Sequence, residues 1–149
     1  MATLPRFALC FGATILVSSS AAAFTPKTTS NGSPVRWSGS AITVVADPSL
    51  AALGPGAVGA VTRAFATWDA VRSTGTPVVT VMERTADELG YRAGSENLCT
   101  VRYAPQGHAS AGKALAVTIV SFDGSGHILD VDIVVNGGVS GSGGVTVAA

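Results

Sequence analysis

Few side chains in this 149-residue chain have the chemistry of catalysis or metal binding. Its two histidines, His108 and His127, lie nineteen residues apart, each beside a glycine in a predicted loop. A catalytic zinc usually takes three protein ligands, and two of them often stand one helical turn apart. Together with Asp123, the histidines would form a metal site only if a hairpin brought all three together. Because isolated loop histidines are common, we expect them to be exposed and without metal.

Asp130 and Asp132 are the second candidate pair. They stand two residues apart in the alternating segment Ile128–Asn136, so both side chains point to one face of a strand. Carboxylate oxygens are the ligands that calcium prefers, which makes the pair a candidate calcium site. The same alternation is typical of a strand with one face in the core and the other in water. We adopt this solvated face as the interpretation and keep calcium as the alternative.

Cys99 is the remaining candidate nucleophile. A catalytic thiol needs a histidine partner and a lowered pKa, and the neighbouring residues supply neither. Leu98 and Val101 instead indicate a small buried side chain in a strand. The chain has no Gly-x-Ser-x-Gly elbow and no phosphate-binding glycine loop. The residues by themselves therefore assign no catalytic group.

Hydrophobic periodicity predicts the elements that position these side chains. After Gly54-Pro55-Gly56, and before Gly75, apolar residues recur every three or four positions, which predicts one amphipathic helix: Val58, Val61, Ala64, Phe65, Trp68 and Val71. We expect Phe65 and Trp68 to be its largest contributions to the core. β-Branched or alternating runs predict five strands: Ala41–Ala46, Val78–Glu83, Leu98–Tyr103, Ala114–Phe122 and Ile128–Asn136.

The order of these elements predicts an α+β fold, a twisted five-stranded mixed sheet with one long amphipathic helix. The strands on either side of the helix should be parallel, since a strand–helix–strand connection crosses over the sheet. The glycine-rich turn Asp123–Gly126 predicts that the last two strands form an antiparallel hairpin.

The N-terminal residues have the pattern of a secretory signal. Arg6 is followed by an apolar run, Phe7–Val17, and then by the small residues Ala21–Ala23. Because eleven residues are too few to span a bilayer as a helix, we expect a secreted protein with no membrane span after cleavage. Nine basic and nine acidic side chains give no net charge, which argues against a nucleic-acid partner. The predicted organisation is a signal peptide at 1–23, an arm at 24–36, a domain at 37–136 and a glycine-rich tail at 137–149.

Four segments, in this order and spacing, resemble the bacterial matrixin-like proteins among the metzincin metalloproteases: Pro34–Trp37, Ala64–Val71, Ala114–Thr118 and Gly126–Asn136. The resemblance implies the sheet-and-helix part of a zinc peptidase domain. In that family, a helix with the motif His-Glu-x-x-His-x-x-Gly-x-x-His follows the last strand and supplies the zinc ligands and the general base. The 149 residues contain no such motif. The resemblance therefore assigns no catalytic residue and no zinc ligand here, and the chain as written should be inactive.

The resemblance does assign part of a substrate cleft. The family's last strand but one lies at the edge of the sheet and binds the substrate backbone as an added strand. The matching residues are Ala114, Leu115, Ala116 and Val117. A completed enzyme would thus take a peptide or protein substrate. The family's structural metal sites match poorly, so calcium at Asp130 or Asp132 rests on the carboxylates alone.

Three functions fit these observations. The first is the N-terminal part of a secreted zinc endopeptidase, and the second is a secreted non-catalytic binding domain that has kept the sheet. The third is an unrelated small α+β module, such as an envelope-associated domain. We also expect the 149-residue product to be poorly stable, because the sheet face that a missing half would cover stays exposed. The sequence leaves the oligomeric state open.

Overall fold

The computed structural model describes residues 25–86 and 88–138. Within these residues, five strands and one α-helix follow the predicted order: β1 Ala41–Ala46, α1 Ala57–Ala70, β2 Val78–Glu83, β3 Cys99–Ala104, β4 Ala116–Phe122 and β5 Ile128–Asn136. Two short 3-10 helices cover Pro48–Leu53 and Ala109–Ala111. The predicted signal peptide and residues 139–149 of the predicted tail lie outside the described residues.

The five strands form one sheet in the order β2-β1-β3-β5-β4. β1 pairs with β2 and β3 in parallel, and β3 pairs with β5 in parallel, whereas β4 is antiparallel to β5. The α+β class is therefore confirmed, as are the parallel pair around the helix and the terminal hairpin. β4 lies at one edge of the sheet and β2 at the other.

Three of the predicted strands have the observed bounds, and two differ at their ends. β3 begins and ends one residue later than predicted, and β4 begins two residues later. Ala114 and Leu115 lie in the connection between the second 3-10 helix and β4, where Asn136 binds their carbonyl oxygens. Its side-chain amide donates to Ala114 over 2.8 Å, and its backbone N–H donates to Leu115 over 2.8 Å.

One face of the sheet forms the hydrophobic core. Val44, Ala46, Cys99 and Val101 on the central strands are buried there with Leu50 from the first 3-10 helix. The helix α1 packs on β1 and β2, so it covers only the half of this face nearest β2. Among the described residues, no helix combines the length and the apolar character needed to cross a membrane.

The prediction that Trp68 packs on the sheet is wrong. Phe65 is half-buried against the core, but one turn later the Trp68 side chain is 74% exposed, and so is that of Val71. An apolar stripe shows which side of a helix faces the protein, but not how far the covering surface extends. The stripe on α1 continues past the part of the sheet that it contacts.

The N-terminal arm lies against the turn between β4 and β5. The backbone N–H of Arg36 donates to Gly126 over 2.8 Å, and the N–H of Ile128 donates to Arg36 over 2.9 Å. Gly126 has a positive φ of 84°, and a Cβ there would collide with the carbonyl oxygen of Pro34. Only glycine allows the arm to approach the turn so closely.

Candidate functional site

Asp130 and Asp132 are buried, which corrects the interpretation that they lie on a solvated face. Each side chain is 2% exposed. They share their face of β5 with Val134 and Asn136, while Val131 and Ile133 point to the core on the other side. The alternation assigned the two sets of residues to opposite faces correctly. It gave no sign that the polar face is covered as well.

The connection between β2 and β3, described at residues 84–86 and 88–98, provides that cover. Asp132 anchors it, because its Oδ2 accepts a hydrogen bond from Gly90 N–H over 2.6 Å and its Oδ1 accepts one from Thr100 N–H over 3.2 Å. Asp47, after β1, provides a second anchor by accepting hydrogen bonds from Ala86 N–H and Ser49 N–H, each over 2.8 Å. Two buried carboxylates thus hold the segment on the sheet.

The two anchors differ from Asp130 in their hydrogen bonding. Burial alone would raise the pKa of Asp47, but the hydrogen bonds from Ser49 and Ala86 hold it below the usual range. For Asp130, a backbone hydrogen bond from Val131 lowers the pKa only in part, and among the described residues its buried Oδ1 has no hydrogen-bond partner. Burial, together with the negative charge of Asp132, raises the pKa of Asp130 to about 6. Carboxyl groups with raised pKa values in a cavity are typical of binding and catalytic sites.

A cavity of about 540 Å³ lies between the covering segment and the polar face of the sheet. Its lining combines charged and polar side chains, including Arg84, Glu88, Arg92, Asn97, Thr100, Arg102 and Asp130. Glu88 forms an ion pair with Arg92, and Glu96 forms one with Arg84 over 3.3 Å. This volume is within the range of small-molecule sites in proteins. We call it the polar cavity.

The edge strand β4 presents a second candidate surface. Leu115 and Asn136 form a hydrogen-bonded pair across the start of the hairpin. Because such pairs alternate along an antiparallel ladder, Val117 and Ile119 direct their backbone groups to β5. The backbone N–H and C=O groups of the intervening residues Ala116, Thr118 and Val120 point away from the sheet.

The residues predicted to bind substrate divide between two positions. Ala116 and Val117 lie in β4 at the sheet edge, and Ala114 and Leu115 lie in the connection before it. β4 contains no charged residue and no proline. Edge strands are usually protected against pairing by such residues, so β4 is unusually open to an added strand.

A third surface is an apolar groove of about 370 Å³ on the core face of the sheet. Phe65 and Trp68 from α1 form one wall, and Cys99, Val131 and Ile133 form the floor. It lies where α1 stops covering the sheet. We call it the apolar groove.

The histidines do not form the metal site that their spacing left open. His127 Nδ1 lies 3.2 Å from Asp123 Oδ2 in the β4–β5 turn. Backbone hydrogen bonds from His127 and Ser125 lower the pKa of Asp123, so these contacts stabilise the turn. His108 is half-buried, and its Nδ1 has no partner among the described residues. No three metal-ligating side chains come together within residues 25–86 and 88–138.

Cys99 is a buried free thiol, as predicted. Burial raises its pKa above the usual range, so it is a poor nucleophile. Its side chain points to the core face of β3, on the floor of the apolar groove.

The comparisons with known proteins give no assignment, since no family model, curated protein or solved structure matches this chain.

Sequence reasoning missed the arginines of the polar cavity. One signal was present, because Arg102 stands in a strand that is otherwise apolar or uncharged, Cys99–Ala104. Arg84 and Arg92 lie in the covering segment, where a charged residue is ordinary. Their approach to Asp130 depends on how that segment folds back over the sheet.

Proposed function

We propose that this chain is the sheet-bearing part of a secreted, matrixin-like zinc endopeptidase, and that β4 binds the substrate as an extended strand. The observation that carries the proposal is the orientation of the edge strand. Ala116, Thr118 and Val120 direct their backbone groups outward, as β-augmentation requires. Main-chain hydrogen bonds of this kind bind a peptide without demanding a particular side-chain sequence.

The apolar groove supports the same proposal. Val131 and Ile133 lie on a sheet face that α1 leaves uncovered, next to the 74% exposed Trp68. The resemblance implies that a helix carrying the zinc motif follows β5. Such a helix needs an apolar surface to pack on, and the apolar groove offers one close to the edge strand.

The zinc ligands of the proposed peptidase would come from the family's zinc motif, which these 149 residues do not contain. The described residues bring no three metal-ligating side chains together, so nothing in this part of the chain fits the catalytic metal. The function that we assign here is substrate positioning. An extended peptide paired with β4 is held in one register, which lowers the entropic cost of presenting one peptide bond for hydrolysis.

The coding sequence downstream of the Ala149 codon tests this assignment. We expect a reading frame that encodes His-Glu-x-x-His-x-x-Gly-x-x-His within about a hundred codons, the length of a further small subdomain. The completed protein should take up zinc and hydrolyse casein. Absence of the motif from all three frames, or a completed protein that takes up no zinc, overturns the proposal.

Secretion is a second part of the proposal and has its own test. The pattern at residues 1–23 supports export, with cleavage before Phe24. N-terminal sequencing of the protein recovered from the culture medium or periplasm should start at Phe24. A product that stays in the cytoplasm with Met1 or Ala2 at its N-terminus contradicts it.

A secreted, non-catalytic binding domain is the alternative function, and the polar cavity is the observation that favours it. A peptidase assignment does not require a charged cavity on the face opposite to the apolar groove. If the downstream sequence encodes no zinc motif, ligand binding in the polar cavity becomes the primary candidate function.

A further inference from the structure

Asp130 lines the polar cavity, and the described residues around it leave one of its carboxylate oxygens without a hydrogen bond. It is 2% exposed, it lines the cavity, and its Oδ1 has no hydrogen-bond partner among the described residues. A buried carboxylate without a partner is costly, so such groups are normally paired. Within the same residues, no arginine or lysine forms an ion pair with Asp130. Its position therefore suits a positively charged or hydrogen-bond-donating group that enters the cavity.

The groups around Asp130 favour an organic cation over a metal ion as its partner. Both oxygens of the neighbouring Asp132 already accept backbone hydrogen bonds, from Gly90 and Thr100. A divalent ion needs several oxygen ligands, and the described residues bring no three metal-ligating side chains together at Asp130. A cavity of about 540 Å³ is also far larger than one ion requires.

Arg102 supplies the opposite charge at a distance. In the β3–β5 register it lies beside Val134, four residues beyond Asp130. The rise of a strand separates these two backbone positions by roughly 13 Å. No carboxylate in the described part of the chain lies within ion-pair distance of Arg102. The cavity thus presents a carboxylate and a guanidinium at different depths along one face of the sheet.

We propose that the polar cavity binds a small zwitterionic molecule of the amino-acid or short-peptide class. Its ammonium group binds the Asp130 carboxylate, and its carboxylate binds the Arg102 guanidinium. Three extended residues span about 10 Å, which fits the separation once both side chains reach inward. This site lies on the face opposite to the apolar groove and does not depend on the proposed peptidase function.

Calorimetric titration of the 149-residue chain with triglycine tests the proposal. We expect triglycine to bind about tenfold more tightly than either N-acetyl-triglycine or triglycinamide, because each analogue lacks one of the two charges. Asp130→Asn and Arg102→Met should each weaken triglycine binding by about tenfold or more. The matched controls Glu83→Gln and Arg63→Gln, which lie outside the cavity, should bind like the parent chain.

Three results overturn the proposal. The first is the absence of triglycine binding to the parent chain, and the second is equal binding of triglycine and both capped analogues. Because the analogues are compared on the unmodified chain, this comparison holds even if a variant fails to fold. The third is stabilisation by calcium alone that Asp130→Asn abolishes, which would assign the carboxylate to a metal ion.

Discussion

Asp132 on β5 accepts a hydrogen bond from the backbone N–H of Gly90 over 2.6 Å, across 42 residues of sequence. This contact joins the covering segment to the sheet beside the polar cavity, which Gly90 and Asp130 both line. Its carboxylate is buried, and Thr100 N–H occupies the other oxygen. The charge of Asp132 is therefore compensated by backbone dipoles rather than by a cation.

Asp132→Ala should release the covering segment. The substitution leaves two backbone N–H groups without their charged acceptor, so we expect the free energy of unfolding to fall by about 3 kcal/mol. Hydrogen exchange should accelerate at Gly90 well before global unfolding. Urea denaturation and amide exchange measure both effects. Asp123→Ala, which removes an exposed carboxylate that also accepts two backbone hydrogen bonds, is the control and should cost less. Equal losses for the two variants would show that burial of Asp132 does not matter.

Asp130 makes stability depend on pH. Its pKa in the folded chain, about 6, exceeds the ordinary value of 3.8, because burial and the charge of Asp132 oppose ionisation. The folded state therefore binds more protons than the unfolded state between these values, and the free energy of unfolding falls as pH rises through this window. Once the pH is well above 6, the free energy of unfolding has fallen by about 3 kcal/mol in total.

Asp130→Asn should remove this dependence. We expect the stability of the variant relative to the parent to improve by about 2 kcal/mol between pH 4 and pH 7.5, in urea titrations at each pH. Glu83→Gln, at an exposed carboxylate, should show no comparable change. A constant difference between Asp130→Asn and the parent at all pH values would contradict the raised pKa.

The sequence predicted the elements but not the coverage of the faces. Period-two and helical patterns located all five strands and α1, because those patterns follow from backbone geometry. The burial of Asp130 and the exposure of Trp68 depend on what lies over each face. The covering segment has no periodic sequence pattern. Its position over the sheet, held by hydrogen bonds from Ala86 to Asp47 and from Gly90 to Asp132, could therefore not be predicted from the sequence.

The candidate site was predictable only in part. The edge position of Ala116 and Val117 came from the resemblance and not from their hydrophobic pattern, which is apolar on both faces. The polar cavity needs Arg102 and Asp130 on neighbouring parallel strands. Strand order in a mixed sheet is not determined by the pattern of any single strand, so this juxtaposition required the structure.

Phe65 and Trp68 should differ in their contribution to stability despite their shared stripe. Phe65→Ala removes a ring packed on the core, and we expect it to cost about 2 kcal/mol. Trp68→Ala removes a 74% exposed ring and should cost less than about 1 kcal/mol. Urea denaturation of both variants provides the comparison. A larger loss for Trp68→Ala would mean that the groove closes over this side chain in solution.

On the proposed peptidase function, Thr118→Pro should weaken substrate binding by the completed protein. Because the Thr118 N–H points away from β5, proline removes one donor to the peptide and leaves the β4–β5 ladder intact. The loss of one main-chain hydrogen bond should raise KM by about three- to tenfold with little change in kcat. Thr118→Val, which keeps the N–H, is the matched control. Equal KM values for the two variants would exclude the edge strand from substrate binding.

The apolar groove predicts the solution behaviour of the 149-residue chain. Val131 and Ile133 form a continuous apolar floor beside the exposed Trp68, so we expect self-association at micromolar concentration and binding of the dye ANS. Ile133→Thr should reduce association, measured by sedimentation velocity, at a cost in stability of about 1 kcal/mol. Thr80→Val replaces a hydroxyl with a methyl group at an exposed position of β2 and should leave association unchanged. If the parent chain sediments as a monomer, binds no ANS and melts in one sharp transition, the groove is not an uncovered interface. The floor of the groove would then need no partner subdomain, and the groove would no longer support the proposed catalytic part.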